Sequence, residues 1–400
     1  MLLEIILAFI AGILAGTFTG LAPGIHINLV SAILVSSLAF LVSVPPIALV
    51  VFIVAMAVTH SFLDFITSIY LGAPEEDNFL SILPGHQMLK EGKGHEAIVL
   101  TLYGSLAAIP IVLIFIPIFI YLLPLAYETI KSSIPYILLF ASFYLIFREK
   151  EFLPSLTIFI LAGFLGFSAL NLPIKEPLLP MLTGLFGLSS LLISIKNKTS
   201  IPKQKILPLK KIKLPKLTFI KSTLAALISA PLCSFLPGIG SGHAAVIGSE
   251  IFEQDNRSFL YLVGAINTIV ISLSFIVLYT IGKSRSGVAA AVKDIISTIS
   301  LPQLAIIILT IVLAGIISFF WGIKLSKLCA IYITKISYTK LSLAVIFILI
   351  ALNIILTNWL GILVLLTATA LGIFAISSGS RRINLMGCLL VPTIIYYLLI

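Results

Sequence analysis

Long apolar runs broken by short polar interruptions fill this chain from end to end. About 20 apolar residues in a helix are enough to cross the roughly 30 Å hydrocarbon core of a bilayer. Runs of that kind predict helices over residues 3–20, 25–42, 46–71, 97–123, 132–147, 152–170 and 177–195. After a polar stretch the pattern starts again, with predicted segments at 217–236, 242–252, 257–282, 301–323, 340–357, 359–376 and 383–399. The predicted fold class is all-α, a polytopic helical membrane protein with roughly 10–14 membrane segments.

Two interruptions resemble each other. The first reads Thr19-Gly20-Leu21-Ala22-Pro23-Gly24-Ile25-His26, and the second Ser234-Phe235-Leu236-Pro237-Gly238-Ile239-Gly240-Ser241-Gly242-His243. Pro and Gly open a helix, and open backbone at membrane depth is tolerated only inside protein or beside a wet cavity. Interrupted segments at matching places in two halves point to a transporter's binding site. Other matches follow: Gly72 with Gly282, and Leu165-Gly166-Phe167 with Leu371-Gly372-Ile373. The offset drifts from 214 residues at Pro23/Pro237 to 210 at Gly72/Gly282 and 206 at Gly166/Gly372. The expected organisation is a membrane repeat over 1–198, a basic cytoplasmic linker over 199–216 and a second repeat over 217–400. If the Pro-Gly segments are re-entrant, the crossing count falls below fourteen.

Composition narrows the function. Hydrophobic residues make up 60% of the 400 positions and charged ones 10%, with a mean hydropathy of +1.21. The net charge of +10 does not indicate nucleic acid, because Lys196, Lys198, Lys203, Lys205, Lys210, Lys211, Lys213, Lys216 and Lys221 cluster with no acid among them. Such a cluster marks an inside loop. Counting crossings from it inverts the second half relative to the first, as in many secondary transporters. The start, Met1-Leu2-Leu3-Glu4, has no basic flank, so the first helix is expected to remain in place. Cys233, Cys329 and Cys388 form neither a disulfide framework nor a metal spacing. There is no Gly-x-x-x-x-Gly-Lys-Ser/Thr sequence, which argues against ATP-driven pumping by this chain. With no nucleophile–base constellation and no cofactor motif, neither enzymatic activity nor a cofactor is expected. His86 and His95 fall in the polar stretch 72–96 and read as solvated loop residues.

A helix that starts after a Pro-Gly break presents unpaired N–H groups and the positive end of its dipole, a setting that favours an anion. The candidate substrate site comprises Thr19, Pro23, Gly24, His26 and Asn28 with Pro237, Gly238, Gly240, Ser241, Gly242 and His243. Asp64 is the one acid well inside a hydrophobic helix, and His60 lies one turn before it on the same face. An intramembrane carboxylate costs about 2.5–3.5 kcal/mol to insert, so this pair is the candidate for proton or sodium coupling. The five arginines, Arg148, Arg257, Arg285, Arg381 and Arg382, sit at segment ends. An anion in mid-membrane would then find its positive field in the backbone.

These stretches resemble the large permease subunit of tripartite tricarboxylate transporters, the TctA-type family. The likeness lies in Gly20-Leu21-Ala22-Pro23-Gly24 and Pro237-Gly238-Ile239-Gly240. It extends to Leu83-Pro84-Gly85-His86-Gln87-Met88, Lys90-Glu91-Gly92-Lys93-Gly94 and Leu178-Leu179-Pro180 with Gly184-Leu185-Phe186-Gly187. Where that family is glycine-rich after its third helix, this chain has His60-Ser61-Phe62-Leu63-Asp64-Phe65. The resemblance implies a cation-coupled importer of small carboxylates in the cell membrane, aided by a small membrane subunit and an extracytoplasmic binding protein. The expected function is thus a secondary transporter of a small organic anion, with membrane lipid around it. The alternative is a translocase of a lipid-linked phosphate such as polyprenyl phosphate, whose re-entrant motifs resemble Pro237–Gly242.

Overall fold

The computed structural model describes residues 1–22, 27–71, 82–147, 149, 151–196, 202–235, 240–284, 286–333 and 337–399. Among them every regular element is helical. The first half contains α1 (Leu2–Leu21), α2 (Ile27–Ser36), α3 (Pro46–Leu71), α4 (Ile82–Lys90), α5 (Gly94–Ile130), α6 (Ile134–Phe147) and α7 (Phe152–Asn171). It ends in α8 (Leu178–Leu182), a π-helical turn (Thr183–Leu188) and α9 (Ser189–Lys196). The second half contains α10 (Lys216–Phe235), α11 (Ser241–Ile251), α12 (Asn256–Ile281), α13 (Gly287–Ile295), α14 (Leu301–Tyr332), α15 (Tyr338–Leu356), α16 (Trp359–Ser377) and α17 (Gly387–Leu399).

Among the described residues, ten helices are long and apolar enough to cross a membrane by length and composition. The short helices beside the two interruptions are not among them. At about 1.5 Å per residue, α2 and α11 rise only about 15–17 Å, half of the hydrocarbon thickness. The polar stretch at 72–96 is not all loop either, since α4 and the start of α5 lie within it.

Two helices form the centre. In α3, Pro46 opens the helix where its missing N–H is no loss, and every side chain from Ile53 through Tyr70 is buried. In α12, Asp255 caps the start by accepting from the Ser258 N–H at 2.7 Å, and Gly282 ends it at φ +65°. Helices around these two meet them through small residues. On α1, Gly12, Gly16 and Gly20 line the face against α3, while Leu3, Leu7, Leu14 and Phe18 face outward. A Cβ on Gly12 would lie 2.5 Å from the Phe52 carbonyl oxygen. Close backbone approach of this kind is how membrane helices gain packing without a hydrophobic drive. Helices α5 and α12 cross the same way: a Cβ on Gly104 would strike the Tyr261 carbonyl, and one on Gly264 the Thr101 carbonyl.

The two halves are interleaved. Helix α3 packs on α14, and α12 packs on α5, in one large body that also holds α1, α2, α4, α10, α11 and α13. A smaller body joins α7, α8 and the π-helical turn to α16 and α17. There a Cβ on Gly166 would strike the Cys388 carbonyl, and one on Gly372 the Leu185 carbonyl. Val246 of α11 is buried in the smaller body, so α11 spans the seam.

The basic linker is held rather than loose. Gln204 is buried; its Oε1 accepts from the Gly94 N–H at 2.8 Å and its Nε2 donates to the Leu89 carbonyl at 3.1 Å. It thereby serves the last turn of α4 and the first of α5 together. Between those turns, Gly92 adopts φ +76° and its carbonyl accepts from the Lys205 N–H at 2.7 Å.

Candidate functional site

The cluster around Asp64 is built by α1, α3 and α12. Asp64 is 1% exposed. Its Oδ2 accepts from Asn267 Nδ2 at 3.2 Å, a partner supplied by the other half of the chain. The same amide lies 3.5 Å from the Ser61 carbonyl. One turn earlier on α3, His60 Nδ1 lies 3.0 Å from Thr19 Oγ1 on α1. Thr67 Oγ1 donates to the Asp64 carbonyl at 2.8 Å and approaches the Gly20 carbonyl at 3.3 Å. Ser318 of α14 donates to Thr59 Oγ1 at 3.0 Å. Buried polar groups in an apolar body need such partners. The end of α1, just before the first interruption, is therefore stitched to the stretch of α3 that carries His60 and Asp64.

Pro23, Gly24 and His26 lie outside the described residues, as do Pro237 and Gly238. Asn28, in the first turn of α2, sits against the start of α13, where a Cβ on Gly287 would meet its Cγ at 2.6 Å. Around the second interruption, Gly240 caps α11 in an extended conformation, and Ser241, Gly242 and His243 are buried in its first turn. The Gly240 N–H donates to His243 Nδ1 at 3.3 Å. That ring nitrogen serves its own helix start, and in the neutral ring the proton is on Nε2.

Three readings of the sequence change. His95 is not in a solvated loop but buried in α5, with Nδ1 2.9 Å from Ser326 Oγ. His86 is half-buried on α4, and burial, with Lys90 and Arg382 acting in the same direction, lowers its pKa to about 4. Arg382, at a segment end by sequence, turns its side chain inward and is 8% exposed. Periphery and interior also meet at Arg257, whose Nη2 lies 2.7 Å from Glu96 Oε1. A cavity of about 460 Å³ opens between α4 and the α11–α12 turn, lined by His86, Gln87, Lys90, Gln254 and Asn256.

The match that decides the family covers residues 6–387 and is to the tripartite tricarboxylate transporter TctA family. The chain belongs to that family. TctA-family proteins are the membrane components of transporters that also include a binding protein and a small subunit, so this is a multi-pass transporter component of the cell membrane. Membership lends no support to a lipid-phosphate translocase. An uncharacterized protein of Methanocaldococcus jannaschii, MJ1079, is 32% identical over 408 aligned positions that cover 98% of this chain and 99% of its own. No solved structure matches the chain.

Sequence reasoning missed Asn267 as the partner of Asp64. The signal was present, because a lone Asn in the middle of the apolar run 257–282 is costly unless paired.

Proposed function

We propose that this TctA-family protein carries a small organic anion, most simply a carboxylate, across the cell membrane, coupled to a proton or sodium gradient. The observation that carries the coupling is Asp64, a buried carboxylate whose hydrogen-bond donor, Asn267, comes from the other half. Such a carboxylate costs about 2.5–3.5 kcal/mol in a membrane helix. A proton or Na⁺ offsets that cost, and its arrival or departure changes how α1, α3 and α12 hold together. His60 and Thr19 extend the same cluster toward the first interruption. The substrate site is assigned to the two interruptions, with Thr19, Asn28, Gly240, Ser241, Gly242 and His243 among its residues.

We read residues 1–198 and 217–400 as inverted repeats about the linker. Reciprocal packing supports this: α3 on α14 against α12 on α5, and Gly166 on Cys388 against Gly372 on Leu185. A small membrane subunit and an extracytoplasmic binding protein are the expected partners. The decisive experiment uses proteoliposomes and labelled citrate or malate under an imposed proton or sodium gradient. Asp64→Asn should abolish accumulation while exchange of external for internal substrate continues. Full accumulation by that variant would remove Asp64 from coupling, and no movement of any carboxylate by the wild type with its partners would refute the substrate class.

A further inference from the structure

The smaller body contains a cation that the proposed mechanism does not yet use. Arg382 opens the turn Arg382–Met386 that leads into α17. Its Nη2 donates to the Phe186 carbonyl at 2.7 Å and lies 3.3 Å from the Leu185 carbonyl and 3.4 Å from Ser189 Oγ. Those carbonyls belong to the π-helical turn, and the Phe186 ring lies 5.3 Å from the guanidinium carbon. Nε is buried without a hydrogen-bond partner among the described residues. Nor does any carboxylate among them pair with Arg382, since Glu149 is taken by Arg381 at 2.6 Å.

Other buried polar groups lie beside it in an otherwise apolar cluster. Ser155 and Ser380 hydroxyls are 2.6 Å apart, and Asn384 Nδ2 donates to Ser380 Oγ at 3.1 Å. A buried charge without a counter-charge is strongly destabilising, and with none among the described residues the guanidinium is suited to an anion brought by a ligand. A guanidinium edge matches a carboxylate in a two-point contact better than any other cation does. Arg382 sits in the smaller body, in the turn between α16 and α17, packed against α7 and the π-helical turn.

We propose that Arg382 is the charged anchor of an anion site in the smaller body, beside the π-helical turn, and that its ligand is a carboxylate group of the transported substrate. This rests on the reading of the chain as an organic-anion carrier. It also alters that reading, because the positive field no longer comes from backbone N–H groups alone.

The test is binding first and transport second. Citrate and malate are titrated against purified full-length protein, and thermal stabilisation or calorimetry gives Kd for the wild type, Arg382→Gln and Arg382→Lys. The expected result is a loss of about 10–100-fold in affinity for Arg382→Gln, the span of one charge-assisted hydrogen bond, with a smaller loss for Arg382→Lys. Unchanged affinity in folded Arg382→Gln would overturn the proposal, leaving Arg382 as a cap for the π-helical turn. Should that variant not fold, the wild type still decides. Citrate should slow modification of Arg382 by phenylglyoxal, followed on its peptide by mass spectrometry, where chloride at equal ionic strength does not. Absence of that protection would likewise overturn the proposal. Binding lost with Arg382, but no gradient-driven accumulation by the wild type, would fault the transport reading and support the anion site. Accumulation by the wild type with an unchanged KM in Arg382→Gln would fault the anchor alone.

Discussion

Three glycines on one face of α1 allow stability and function to be separated. At Gly12 an added methyl would lie 2.5 Å from the Phe52 carbonyl oxygen and 2.8 Å from the Ala55 Cβ. Ordinary contacts need about 3.5–4.0 Å, so α1 must retreat by close to an ångström. Overpacking of this kind costs about 1–3 kcal/mol, against which alanine regains about 0.8–1.0 kcal/mol of helix propensity. Gly12→Ala should therefore destabilise the protein by up to about 2 kcal/mol. At Gly20 the methyl would lie 2.9 Å from the Leu63 Cβ, 3.3 Å from the Asp64 nitrogen and 3.4 Å from the His60 carbonyl. Reaching an ordinary contact takes about 0.6 Å there, against about 1 Å at Gly12, so the net loss should be the smaller of the two, about 1 kcal/mol.

The effect on uptake should run the other way. The same shift stretches the 3.0 Å Thr19–His60 and 3.3 Å Thr67–Gly20 contacts toward the limit of hydrogen bonding. Losing one contact of about 1.4 kcal/mol is a factor of ten, so Gly20→Ala should cut gradient-driven accumulation by about tenfold. Gly12→Ala, far from the cluster, should lose activity only as its folded fraction falls. Thermal unfolding in detergent and initial uptake rates in proteoliposomes, measured on both variants, give the comparison. Wild-type uptake by Gly20→Ala, or loss of uptake that follows stability alone across the pair, would refute the placement of the working cluster at the end of α1.

Two further outcomes follow from the contacts of the linker and of the start of α12. Gln204→Ala removes the acceptor for the Gly94 N–H and the donor for the Leu89 carbonyl, so exchange of the Gly94 and Lys205 amides should quicken and the unfolding temperature should drop; unchanged exchange would mean that the linker does not hold α4 to α5. Asp255→Ala should cost about 1 kcal/mol as a lost N-cap. Burial works to raise the Asp255 pKa, but the hydrogen bonds from Ser258, with Arg257 nearby, more than offset it and leave the pKa lowered. A lowered folded pKa means that the cap's contribution is full above the ordinary Asp range and is lost as pH falls through the folded value. The difference between wild type and Asp255→Ala should therefore vanish in strong acid, and a difference that persists there would show that the carboxylate charge is not what caps α12.

Much of this protein was legible in the order of its residues. Apolar runs near bilayer length identify a helical membrane protein because only helices and closed β-barrels satisfy every backbone group in lipid, and continuous apolar runs of about 20 residues fit helices. The same rule singles out Asp64, whose charge is too costly to face lipid. Lysines without acids locate the linker, and short Gly/Pro patterns suffice for the TctA resemblance. These are local signals, set by what one segment needs from its solvent. What the tertiary structure decided is non-local. Asp64 finds its donor on Asn267, more than 200 residues away, and periodicity reports a buried face without naming what covers it. His95 and Gln204 look like loop residues because their polarity is visible in sequence and their buried partners, Ser326 and the ends of α4 and α5, are not. Arg382 is the sharpest case: its place at a segment end is a property of the chain, but the inward turn of its guanidinium depends on carbonyls that a π-helical turn frees in the other half.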